Sequence, residues 1–161
     1  MRKFITFDII EFMKQLTIPS YTEKKIKKGQ FVLEKQDFPS LPFHDQAVEL
    51  ANTKGQFIGI GYLSEQNKGI GWFISHKKVT LDVSFFCQLF QYAKAKRQVY
   101  QQSKETTAYR LFNQEGDGFG GLTIDLYQDY AVFSWYNLFV YEIKDTIVQA
   151  FQQVFPEVTG A

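Results

Sequence analysis

The stretch Asn113–Tyr127, "NQEGDGFGGLTIDLY", decides how the chain is read, because it sets glycines at 116, 118 and 121. That is the spacing G-x-G-x-x-G of a dinucleotide-binding turn. Such a turn needs a strand before it, a helix opening directly after it and an acidic residue about 20 positions on, because the helix N-terminus holds the pyrophosphate. Only the strand is supplied. After Gly121, Leu122, Ile124 and Leu126 alternate with Thr123, Asp125 and Tyr127, and a second β-branched and aromatic run comes after a short polar break. Period two is a strand. The stretch is therefore read as a glycine-rich hairpin loop, and a nucleotide-binding enzyme ranks last among the readings. Glu115 and Asp117 agree, since two carboxylates weaken a phosphate cradle. They suit hydrogen bonds to loop amides or a pairing with Arg110, which makes Arg110, Glu115, Asp117, Gly118, Gly121 and Asp125 an architectural set.

Working downstream, "YAVFSWY" gives a further strand after the tight turn at Gln128 and Asp129, and then Val140, Ile143, Ile147, Phe151 and Val154 mark one side of a helix that Pro156 closes. The final "EVTGA" reads as the beginning of another strand, so the chain is expected to be a fragment. Upstream, "LDVSFFCQLFQYAKAKRQVYQQ" places Val83, Phe86, Leu89, Phe90 and Ala93 at three-and-four spacing, with Asp82 early and Lys94, Lys96 and Arg97 late. This is a long amphipathic helix oriented as its dipole prefers. Cys87 lies on the border of its apolar stripe and reads as an inert thiol rather than a nucleophile.

The first 78 residues differ in character. "QFVLE", "QAVELA", "QFIGIGYL" and "IGWFIS" are short β-type runs separated by turn residues, the pattern of a small sandwich or barrel. Gly59 and Gly61 share one strand face, leaving it bare for close approach of another backbone. Before them, "SYTEKKIKKG" reads as a helix with Ser20 as cap, Glu23 completing the box and Gly29 as the left-handed terminus. It carries Lys24, Lys25, Lys27 and Lys28, too many charges on two turns to bury.

Composition narrows the partners. Residues 1–105 hold 16 basic against 10 acidic residues, and residues 106–161 hold 2 against 7. A basic first part invites a polyanion and an acidic second part discourages one. Aromatic residues make up 17% of the chain, enough to place some on a surface where bases or proteins stack. No apolar run reaches the roughly 20 residues of a membrane span. The opening "MRKFITFDIIEF" carries acids within its apolar part, unlike a signal peptide, so no membrane partner and a cytoplasmic location are expected. One cysteine and two histidines leave no multi-cysteine metal site.

With these residues laid out, "TTAYRLFNQEGDGFGGLTIDLY" resembles the middle domain of the SAM-dependent large-subunit ribosomal RNA cytosine-5 methyltransferases, with Y-R-L, then E-x-D-G, then G-L-T-I-D-x-Y. Tyr109, Arg110, Glu115, Asp117, Gly118, Gly121, Leu122, Ile124, Asp125 and Tyr127 carry the match. It extends back through "LDVSFF" and "GIGYLSEQNKGIGW" to cover about the whole chain. Members often carry proline where this chain has Gly120. The resemblance implies an α+β chain with two modules: a PUA-like RNA-binding β-barrel over 1–78 and an incomplete α+β domain over 79–161 (helix, antiparallel strands, helix). A Rossmann-like catalytic domain binding SAM would lie outside the chain. No catalytic residue, cofactor or metal is expected within it. Ribosomal RNA is the implied partner, with Lys24, Lys25, Lys27, Lys28, Lys68 and Trp72 as candidate contacts. A homodimer of the parent protein stays open, and the alternatives are a stand-alone RNA-binding adaptor or a protein-interaction module.

Overall fold

A computed structural model describes residues 13–67 and 69–160. The fold is mixed α and β, built on two sheets. The first half contributes β1 (Lys14–Thr17), α1 (Ser20–Lys27), β2 (Val32–Glu34), β3 (Gln46–Ala51), β4 (Phe57–Gln66) and β5 (Gly69–Ser75). Their pairings run in the order β1-β3-β4-β5-β2, parallel between β1 and β3 and antiparallel elsewhere. The second half contributes α2 (Val83–Lys96), α3 (Gln98–Gln102), β6 (Ala108–Asn113), β7 (Leu122–Tyr127), β8 (Tyr130–Trp135), α4 (Leu138–Glu142) and α5 (Lys144–Val154). Here three antiparallel strands lie in chain order and α2 packs with α5 against them.

Helix ends differ from the sequence reading at three points. Ser20 does not cap α1: Pro19 holds the cap position in extended conformation, and its carbonyl accepts the Glu23 N–H at 3.0 Å. The other end is as expected. Gly29 has φ +89, with Gly29 N–H on the Ile26 carbonyl and Gln30 N–H on that of Lys25, a complete Schellman closure. The single helix expected within 81–102 and the one expected through Val140–Val154 are each broken once, at Arg97 and at Ile143. Within "EVTGA", expected as the beginning of a strand, Gly160 forms an isolated parallel bridge to Tyr130, and its carbonyl accepts the Ala131 N–H at 2.9 Å.

The first sheet is buried on both faces, and this joins the two halves. Successive residues of one strand enter different cores: Val48, Leu63 and Phe73 pack with Leu16, Ile18, Ile26 and Leu33, whereas Ala47, Tyr62 and Trp72 pack with Leu111, Phe119 and Val140 of the second half. Ala47, Tyr62, Trp72 and Val32 are direct cross-strand neighbours, so they form one row across four strands. Gly59 and Gly61 do leave a face bare. A Cβ on either would overlap the β5 backbone, at the Ser75 and Trp72 carbonyls respectively.

Tyr62 is the centre of the junction. It is fully buried, and its ring stacks on Phe139 at 4.6 Å, on Trp72 at 5.6 Å and on Phe119 at 5.6 Å. Its hydroxyl donates to the Gly120 carbonyl at 2.8 Å and accepts from Asn137 Nδ2 at 3.0 Å. Burial pushes the phenol pKa well above its ordinary value, so the group is a fixed donor. A Cβ at position 120 would overlap the Trp72 indole, which explains why this chain has glycine there. Replacing Tyr62 by Phe leaves a buried carbonyl and a buried amide N–H without their partner. It should lower the unfolding free energy by about 1–3 kcal/mol, read from urea denaturation with an unchanged denaturant slope; an unaltered stability would mean that the hydroxyl contributes nothing to joining the halves.

Candidate nucleic-acid interface

The four lysines of α1 and its C-cap fall into three situations. Lys25 is fastened inward: its Nζ donates to Glu34 Oε2 at 2.7 Å and to Asp37 Oδ2 at 3.1 Å, and Thr22 Oγ1 reaches the same Asp37 oxygen. Hydrogen bonds first to Glu34 and then to Asp37 raise its pKa, and Glu34 is lowered in turn by Lys25. Two carboxylates neutralise this cation, so it holds α1 to the turn after β2 and is removed from the set of free phosphate contacts. Lys27 pairs with Glu23 one turn back at 2.7 Å with its side chain 64% exposed, an exchangeable surface pair worth little. Lys24 and Lys28 are exposed and make no side-chain hydrogen bond or ion pair among the described residues.

Lys24 and Lys28 share a helix face with Tyr21, at i, i+3 and i+7. Tyr21 is 48% exposed, with the Lys25 ammonium 5.5 Å from its ring centroid. The arrangement offers a stacking ring flanked by two cations. Trp72 cannot take that part. It is 4% exposed, covered by Tyr62 and Gly120, so no base can lie on its face, and the expectation that it stacks on RNA is corrected by its burial. Lys68 lies outside the described residues.

Of the two pairings expected for the loop carboxylates, Asp117 does bond a loop amide, that of Asn113, whereas neither carboxylate pairs with Arg110. Arg110 pairs with Asp125, its cross-strand neighbour, through two bonds of 2.9 and 3.0 Å, and not with Glu115 or Asp117. The cause is register: both side chains stand on the same face at opposed positions of β6 and β7. Asp117 is gripped by the end of α2. Arg97 donates to both carboxylate oxygens at 2.8 and 2.6 Å, Lys96 adds a bond of 3.0 Å and the Asn113 N–H one of 2.7 Å. Gly118 (φ +99) and Gly121 (φ +84) make the left-handed steps that return the chain to β7. Among the described residues Glu115 makes no such bond, and its buried Oε2 has no partner there. Arg97 escapes a sequence reading as a loop partner because its position late in a helix already accounts for a cation by the dipole. Cys87 is half-buried, and burial first, then Asp82, pushes its thiol upward, the condition of an inert cysteine. Among the described residues no helix is long and apolar enough to cross a membrane.

Two sheets thus share an aromatic core, with a lysine- and tyrosine-bearing helix on the first. Residues 16–76 match the family model of a PUA-like domain. The chain is similar in sequence to bacterial proteins named as ribosomal RNA large subunit methyltransferases. The Bacillus subtilis protein YwbD, provisionally named as such an enzyme, is 36% identical over 147 residues, covering 88% of this chain and 37% of its own length. Ribosomal RNA large subunit methyltransferase I of Photobacterium profundum is 33% identical over 117 residues, 72% of this chain and 30% of the relative. Among solved structures, SMU.776, provisionally a methyltransferase and complexed with SAH, superposes with a TM-score of 0.88 at 53% identity, over 91% of this chain and 38% of its own. The chain thus spans roughly a third of the length of the relatives it matches.

The Asp117 clamp carries a pH signature. Burial alone would raise the carboxyl pKa, but the bonds from Arg97, Lys96 and the Asn113 amide outweigh it and hold the group below its ordinary value. A depressed folded pKa contributes stability above the unfolded value of about 4, and the contribution is lost as pH falls through the folded one. Asp117→Asn should cost about 3 kcal/mol at pH 7 by leaving Arg97 unpaired. In urea unfolding from pH 7 to 3, the difference from the wild type should stay constant down to about pH 5 and close below about pH 4. A pH-independent difference would show that the charge is not what holds the loop.

Proposed function

We propose that this chain is the RNA-recognition part of a SAM-dependent 23S ribosomal RNA (cytosine-5) methyltransferase. On this reading residues 1–78 form a PUA-like barrel that grips rRNA and residues 79–161 form the α+β domain that connects it to a SAM-binding catalytic domain. The observation that carries it is the alignment of 91% of this chain with 38% of a methyltransferase that holds SAH, which leaves most of that enzyme's length outside the match. Methylation at carbon 5 of cytosine requires a thiolate to attack carbon 6. Cys87 is packed against Ala150 and Gln153 and fits no such role, so the nucleophile belongs to the catalytic domain. The glycine loop carries no helix N-terminus for a cofactor, and its Asp117 carboxylate is taken up by Arg97, which fits a chain without a SAM site of its own.

The barrel module engages RNA through the Tyr21, Lys24 and Lys28 face. Phosphates take the lysines, and an unstacked base in a loop takes the tyrosine, since A-form duplex hides its edges. A second reading, a protein-interaction module, is favoured by one observation: Tyr127, Tyr130, Val132 and Tyr136 stand exposed along and just beyond β7 and β8.

Titration of a fluorescent large-subunit rRNA fragment by anisotropy at several salt concentrations separates the two. Affinity should fall steeply with salt, and replacing Lys24 and Lys28 by Gln should flatten the log–log slope by roughly 1.4, about 0.7 for each single-strand phosphate no longer neutralised. Lys25→Gln should instead lower stability. Absence of RNA binding at low salt, together with a mass that grows with concentration, would overturn the RNA reading in favour of the interaction module.

A further inference from the structure

The topology of the first sheet sorts its charges by end. Because β1 runs parallel to β3 and the other neighbouring strands are antiparallel, Thr17, Ala51, Phe57, Ser75 and Val32 all lie at one end. The β3–β4 turn over 52–56 and the exit from β5 over 76–78 stand there. The end of α1 reaches the same place through Phe31, whose carbonyl accepts the Phe73 N–H at 2.7 Å. This end gathers Lys27, Lys28, Lys54, His76, Lys77 and Lys78. The acids Glu34, Asp37, Asp45 and Glu65 stand at the opposite end, where Lys25 pairs with Glu34 and Asp37 and Lys35 with Glu65. Two acids of the first sheet and α1 reach the basic end, and both are taken: Glu23 by Lys27 at 2.7 Å and Glu49 by Lys78 at 3.4 Å. Lys28, Lys54 and Lys77 are exposed and make no side-chain hydrogen bond or ion pair among the described residues.

These three lysines stand on braced backbone. Asn52 is buried, its Oδ1 accepts the N–H groups of Lys54 and Gln56 at 3.0 Å each, and its Nδ2 donates to Gln56 Oε1 at 2.9 Å. Ser75 Oγ accepts the Lys77 N–H at 3.0 Å, and Lys28 lies within the Schellman closure of α1. Rings connect the three positions. Phe31 stacks on Phe73 at 6.2 Å, the exposed His76 ring lies 4.5 Å from Phe73, and the Lys78 ammonium sits 5.3 Å from the Phe57 centroid. Like charges held on one rigid edge without carboxylates to match them are the complement of a polyanion. We propose that the RNA backbone held by Lys24 and Lys28 continues over this end of the sheet, with Lys77 and Lys54 taking further phosphates and the His76 ring lying along its path. The inference rests on the RNA-binding reading above and extends its site from one helix to three elements: α1, the exit from β5 and the β3–β4 turn.

The test follows binding of the full chain to a fluorescein-labelled strand of twelve uridines by anisotropy at several salt concentrations. Lys54→Gln with Lys77→Gln keeps both backbone N–H groups and should leave the urea midpoint unchanged. It should weaken binding roughly tenfold at about 0.1 M salt and flatten the log–log slope by roughly 1.4, about 0.7 for each phosphate no longer neutralised. Adding Lys24→Gln and Lys28→Gln should flatten it by roughly as much again. Lys14→Gln with Lys104→Gln removes the same charge from other parts of the surface and should leave the slope in place. Acetylation followed by mass spectrometry should find Lys54 and Lys77 protected by the bound strand and Lys104 still reactive. A slope that Lys54→Gln with Lys77→Gln does not change, or an equal loss in the Lys14 and Lys104 variant, overturns the extended track and returns the contact to α1 or to net charge. Failure of the wild type to bind either the uridine strand or the rRNA fragment would instead remove the RNA reading on which the track stands.

Discussion

A single buried hydroxyl, that of Tyr62, constrains most of what the chain does. A phenol that is wholly excluded from water must find partners, and it finds them in the Gly120 carbonyl and the Asn137 amide, both contributed by the other half of the chain. Asn137 in turn caps α4 by accepting the Val140 N–H and holds Gln66. The hydroxyl thus sets the height of the glycine loop over the first sheet, the start of α4 and, through Asn137, the orientation of the Gln66 amide. Around it, the stacked rings of Trp72, Phe119 and Phe139 exclude the water that would otherwise compete for those bonds.

The second fixed point is the Arg97–Asp117 pair, and the two act on one loop from opposite ends. Arg97 also donates to the Arg110 carbonyl at 3.1 Å, so the end of α2 is tied to β6 as well as to the loop. Where Tyr62 uses burial, this pair uses charge. Isolated buried pairs seldom add net stability, because desolvation offsets attraction. Here the bidentate geometry, the Lys96 ammonium and the Asn113 N–H fill the carboxylate's acceptor positions, and desolvation is offset by more than one bond.

Much of this is legible in the sequence, and the failures share a cause. Strands β3 to β8 and the α2 stripe are readable because each carries its own pattern over six or more residues. Asn113–Tyr127 is separable from a phosphate loop because the residues after Gly121 alternate with period two, as β7 does, instead of opening a helix. β1 escapes notice because "KQLT" has one apolar residue and no period to detect. Trp72 is misplaced by a sequence reading for a subtler reason: a strand buried on both faces shows no alternation, so "IGWFIS" gives no sign that its tryptophan faces a second core. Nearness in sequence pointed Arg110 to Glu115 or Asp117 and left Lys25 free for phosphate. Register instead gives Arg110 to Asp125, and the fold of the turn after β2 gives Lys25 to Glu34 and Asp37. Pairings across elements are set by topology, which local pattern does not encode.

The shared core also bears on how such a chain would hold RNA. Had the halves been joined by a flexible linker, each contact would carry its own ordering cost, and two weak sites would add little to one another. Instead the first sheet gives one face to α1, which displays Tyr21, Lys24 and Lys28, and the other to the loop that carries Glu115. The position of the α1 face relative to the glycine loop is thereby set by the shared core rather than by a linker. The aromatic row of Tyr62 and Trp72 is then a spacer as well as a core. Its burial withdraws Trp72 from the surface, and the same burial holds the surfaces on either side of it in register.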